Sequence, residues 1–139
     1  MFTTNYKFDV RKPFLIVYSL LILLGFALTI GRWYSQYNDF VIINSAINSH
    51  ISNFSLSLMS YLGIGFIWLM GGIEFRNIIL LGVVFIVGNL LCETVMTFLN
   101  TPDIIDAYFG FLGTVVSFLF LFLTKKYGLI PIKAENKAE

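Results

Sequence analysis

Five side chains of this chain sit where their chemistry would count: Arg32, His50, Glu93, Asp103 and Asp106. A histidine with several carboxylates supplies what general acid–base work or metal ligation needs. Arg32 with His50 offers the donors to hold a phosphate group. No more specific chemistry is written in the sequence. It has no Gly-x-Ser-x-Gly elbow, no His-Glu-x-x-His pair and no glycine-rich phosphate loop. Cys92 is the single cysteine, which excludes a disulfide framework and a cysteine-based zinc site and reads as a small buried apolar filler. The pattern calls for no cofactor and no metal.

The elements that must position these residues are very apolar. Of 139 residues, 58% are hydrophobic and 12% charged, against about 25% charged in a typical soluble domain. The net charge of +1 gives no clustered cationic face for a phosphate backbone, so nucleic acid is excluded as a partner. Roughly 20 residues cross the hydrocarbon core as a helix, and four runs reach that length or approach it: 14–30, opened by Pro13, then 51–70, 77–99 and 104–123. Gly31, Arg32 and Trp33 after the first run do not make a signal-peptide cleavage site, so that run is expected to be retained. The linkers Gly71–Arg76 and Asn100–Pro102 are short, which makes successive helices antiparallel. Phe40, Ile43 and Ile47, at helical spacing within 34–49, suggest a short helix in the membrane interface.

The expected fold is therefore an all-α, antiparallel four-transmembrane-helix bundle forming one domain, with 124–139 as a solvated tail. Membrane lipids are its expected surroundings. With four spans, one side receives Lys7, Arg11, Lys12, Arg76, Lys125, Lys126, Lys133 and Lys137, and the other receives only Arg32. Basic flanks stay cytoplasmic, so both termini are expected in the cytoplasm of a plasma-membrane, multi-pass protein. Asp103 and Asp106 then lie at the outer surface. Glu93, six residues before Leu99, lies about 9 Å deeper at 1.5 Å per residue.

Helical spacing gives each span one polar face. Gly25, Thr29 and Arg32 align on the first and His50, Asn53, Ser57 and Ser60 on the second. Asn89, Glu93, Thr97 and Asn100 align on the third, and Asp103, Asp106, Gly110, Gly113 and Ser117 on the fourth. In lipid these faces turn inward. The Ser, Thr and Asn members read first as hydrogen-bonding glue between helices, and Gly110 and Gly113 as packing positions. Asp103, just after Pro102, doubles as a helix cap, and Arg32 beside Trp33 and Tyr34 as an interfacial anchor. Glu93 is harder to explain as structure alone, because a carboxylate at that depth must be protonated or meet a cation, with Arg32 and His50 the candidates at its level.

The order Glu93, then Asp103-Ile-Ile-Asp106-Ala-Tyr-Phe-Gly110-Phe-Leu-Gly113, resembles the C-terminal half of the VanZ-like family. These are small bacterial membrane proteins, named for a member associated with teicoplanin resistance. The family's pattern is a Glu near a helix end, an Asp-x-x-Asp, an Asn-x-x-Gly-x-x-x-Gly run and an earlier His-Phe pair, here echoed by His50 and Phe54. Gly110 stands in place of the family's Asn, Thr101-Pro102 where an Arg is usual, and Met96 in place of a Gln. The resemblance implies four helices, a bacterial inner membrane and an outward polar site engaging an envelope lipid or antimicrobial. The alternatives are a non-catalytic, immunity-type or accessory protein that binds another membrane protein, and a small transporter subunit.

Overall fold

The structure, a computed structural model, describes residues 6–95 and 103–132. Four long helices dominate it: α1 (Lys12–Ser35), α2 (Ser45–Met70), α3 (Phe75–Thr94) and α4 (Ile104–Leu123). All four are long and apolar enough to cross a membrane. Successive helices run antiparallel, so α2 and α4 run parallel to each other and form the closest-packed pair, with α1 on the outer side of α2 and α3 against both. α1 buries only Gly25, and α3 only Ile78, Gly82 and Glu93. Their remaining surface is the aliphatic face that a hydrocarbon solvent would cover.

Local chemistry sets the boundaries. Pro13 occupies the first turn of α1, where its missing N–H costs nothing. α2 starts at Asn44, whose extended backbone lets Oδ1 accept from Ile47 N–H at 2.8 Å. The expected interfacial helix is therefore absent: 36–44 is a run of turns and bends, and Ser45–Ser49 belongs to α2. Hydropathy places the start of this span at Ile51 because it registers the apolar run, whereas the helix continues six residues further through polar Ser45, Asn48 and Ser49. α4 begins at its expected residue, with Asp103 Oδ1 accepting from Ile105 N–H at 2.9 Å. The end of the expected third span, together with Thr97 and Asn100, lies outside the described residues.

The expected tail is corrected in part. α4 runs into a π-helical turn, Thr124–Gly128, and then a strand β2 (Leu129–Pro131), which pairs antiparallel with β1 (Phe8–Val10). Arg11 N–H donates to Gly128 O at 2.8 Å, Ile132 N–H to Lys7 O and Lys7 N–H to Met70 O, both at 3.0 Å. The last bond lays Lys7 over Gly72, whose φ of +75° turns the chain between α2 and α3. Val10 is 4% exposed and joins the core of Tyr61, Leu62, Phe66, Leu69, Ile78, Phe120 and Leu121. Residues 133–139 lie outside the described residues.

The core fills the half of the bundle nearest this clasp, where Tyr18 stacks on Phe66 with centroids 4.0 Å apart. The other half of the α2–α4 seam is built from small and polar residues. A Cβ at Gly113 would run into the Phe54 carbonyl and the Leu58 nitrogen, so α2 and α4 approach backbone to backbone there. Ser117 Oγ fills the next level, 2.9 Å from Leu58 O. Cys92, expected as a buried filler, is exposed on α3, because that helix turns only one narrow face inward.

Candidate functional site

Capping and packing together set the site. The Asn44 cap starts α2 early enough to place His50 within its second turn, and the Asp103 cap places Asp106 in the first turn of α4. Since α2 and α4 are parallel and locked at Gly113, these turns lie side by side. His50 Nδ1 is 2.9 Å from Asp106 Oδ1 and 3.7 Å from Asp103 Oδ2. The His50 and Asp106 side chains are 15% and 18% exposed, whereas Asp103 is 39% exposed. Phe109, one turn along α4 from Asp106, packs against the imidazole with centroids 5.6 Å apart. Its spacing of three from Asp106 is a signal the sequence carries.

This arrangement fixes the imidazole. When Nδ1 donates to Asp106, the Nε2 lone pair is available, and among the described residues nothing hydrogen-bonds it. The group is thus an oriented proton acceptor beside two carboxylates. His50 Nδ1 and one oxygen from each aspartate lie within 4.8 Å of one another, an N/O donor set of the kind that suits divalent ions. Within it, Asp106 Oδ1 bonds His50 and Asp103 Oδ1 caps α4.

Glu93 lies deeper and is 7% exposed. Asn53, one turn along α2 from His50, donates to its Oε1 at 3.3 Å. One turn further in, Asn89 Nδ2 donates to Ser57 Oγ at 2.9 Å, and Gly110 makes room for the Asn89 amide. The α2, α3 and α4 stripes therefore do converge. Arg32 does not join them. Its Nη1 lies 3.4 Å from Ser35 Oγ, which also accepts from Asn48 Nδ2 at 3.0 Å, while Asn48 Oδ1 holds Ile42 N–H at 3.1 Å. Arg32 thus braces the α1–α2 connection, and Asn53 is one partner of Glu93. The phosphate clamp of Arg32 with His50 is not assembled. Thr29, from the α1 stripe, meets Ser55 Oγ at 3.0 Å as helix glue.

Between α3 and α4 lies an apolar groove of about 230 Å³, lined by Ile86, Leu90, Ile104, Ala107, Tyr108 and Phe111 and not by His50 or Asp106 themselves. Ile104 and Ala107 adjoin Asp103 and Asp106 in sequence, so the groove opens at the level of the carboxylates.

Four helices long and apolar enough to cross a membrane, with a polar cluster at one end, give the chain the architecture of a multi-pass helical membrane protein. No family model, curated protein or solved structure matches the chain.

Proposed function

We propose that this is an envelope protein of the VanZ-like kind, which binds or acts on the polar head of a membrane lipid or of a lipid-like antimicrobial. His50 and Asp106 engage the head, and the groove between α3 and α4 receives an apolar part. The clasped, basic end faces the cytoplasm and the dyad faces outward from the bacterial cytoplasmic membrane. This orientation rests on Lys7, Arg11, Lys12, Arg76, Lys125 and Lys126 lying at the clasped end, opposite Arg32.

The observation that carries the reading is the 2.9 Å contact of His50 with Asp106 at the same level of α4 as an apolar groove. Polar recognition next to an apolar channel is what an amphiphile requires. The sign of the site narrows the head group: two aspartates face one imidazole and Arg32 is elsewhere, so a head presenting an amine or other donors is favoured over a bare phosphate.

The test expresses wild type, His50→Gln and Asp106→Asn in a susceptible bacterium challenged with amine-bearing, membrane-active antimicrobials. Binding of the same compounds to the purified proteins is measured in parallel. Protection and binding are expected from wild type and should be lost in both variants at unchanged expression. Equal behaviour of wild type and variants overturns the reading, as does a wild type that neither protects nor binds.

The accessory-protein reading has its own observation, the Asn89–Ser57 and Thr29–Ser55 bonds that only join helices. It accounts for the deeper stripes and leaves the His50–Asp106 pair unexplained.

A further inference from the structure

At the clasped end, far from the dyad, a pocket of about 390 Å³ opens between β1, the α2–α3 turn and the end of α4. Phe8, Leu69 and Phe75 form apolar walls, and Arg76 and Lys125 are the basic residues of the lining. Glu74 also lines it, yet among the described residues neither cation takes part in a salt bridge. Lys125 Nζ is instead held over the Phe75 ring, 4.6 Å from its centroid. Two cations and one carboxylate, with no salt bridge among them, line an apolar cavity, which suits it to an anion attached to something apolar. The apolar wall also continues outward, since Phe75 packs on Phe122, itself 43% exposed on the side of α4.

We propose that this pocket binds the phosphate head of an anionic phospholipid, with Arg76 and Lys125 on the phosphate and the Phe75–Phe122 wall along the first acyl segment. General attraction between basic flanks and an anionic leaflet needs no pocket. This site requires these two cations in particular. It shares no residue with the outward dyad, so either proposal can fail alone.

The test is native mass spectrometry of the full-length protein in detergent, titrated with phosphatidylglycerol, phosphatidylcholine or inorganic phosphate. Arg76→Gln/Lys125→Gln is compared with the charge-matched Lys12→Gln/Lys126→Gln, all at exposed positions and with helicity checked by circular dichroism. Wild type should retain phosphatidylglycerol over phosphatidylcholine. The pocket variant should lose that preference by roughly thirty-fold, the effect of two cations near a membrane surface. The matched variant should keep most of it, and millimolar phosphate should not displace the lipid. The proposal is overturned if wild type shows no preference, if the pocket variant keeps it, or if the matched variant loses as much. Displacement by inorganic phosphate overturns it too, in favour of a free-anion site.

Discussion

His50 Nδ1 and Asp106 Oδ1 meet at 2.9 Å although 56 residues separate them in sequence, because parallel α2 and α4 bring their N-terminal ends side by side. Removing one partner leaves the other half-buried without its bond. Asp106→Ala should therefore cost about 1 kcal/mol, the net worth of one such bond. Asp103→Asn should be close to neutral, since Asn caps as well as Asp, whereas Asp103→Ala should cost about 1 kcal/mol through the lost cap. Denaturation in mixed micelles ranks the three. Asp103→Asn falling as far as Asp106→Ala would show that the two aspartates are not divided between site and cap.

The tightest point of the α2–α4 seam is Gly113, and Gly63 on α2 has nothing within 4 Å of where its Cβ would stand. Gly113→Ala should destabilise by about 1–3 kcal/mol through overpacking against the α2 backbone. Gly63→Ala should be neutral or slightly stabilising, because Ala is the better helix former by up to about 1 kcal/mol. Equal melting temperatures for the two would refute the close approach.

Asn89 and Ser57 join α3 to α2 at 2.9 Å. A double-mutant cycle of Asn89→Ala and Ser57→Ala should return a coupling of about 0.6 kcal/mol, with an upper bound near 1.7, as for hydrogen bonds between membrane helices generally. Zero coupling would mean that the bond is not formed in the folded protein.

Asp9 and Ile130 are register partners in the β1–β2 ladder. Facing residues of an antiparallel pair stand about 4.5–5.5 Å apart at Cα, within disulfide reach. In a Cys92→Ser background, Asp9→Cys/Ile130→Cys should oxidise to a species of altered gel mobility, and Asp9→Cys/Lys126→Cys should not. Failure of the first pair to close under oxidant would count against the clasp.

The proposed orientation has a direct readout in whole cells. Asn38→Cys should react with a membrane-impermeant maleimide and Lys126→Cys only after lysis, again without Cys92. The reverse pattern would place the dyad in the cytoplasm and remove the outward-facing reading.

How much of this was legible in the sequence depends on the range of the interaction that decides each element. α4 matches its expected span, 104–123, because an Asp cap and an apolar run are local signals. Gly110 and Gly113 do serve packing, and helical spacing alone brought Asn53, Glu93 and Asn89 onto facing stripes. Arg32 was misplaced because two groups at one depth can stand on different sides of a bundle, and depth was all that the spacing measured. The early start of α2 escaped because polar residues continue the helix beyond the apolar run. The clasp was illegible for the plainest reason. Its strands are three residues each, they lie more than a hundred residues apart, and the polar–apolar alternation from Lys7 to Arg11 is too short to stand out beside the long apolar runs.

That pairing also has a consequence for assembly. β2 is the last of the described elements to be made, so Val10 and Arg11 wait for Gly128 and Leu129 before the basic end can close. Until then α1, which buries a single residue, is held almost entirely by α2. The final few residues of α4's extension thus decide when the first helix stops being a loosely tethered neighbour and becomes part of the bundle.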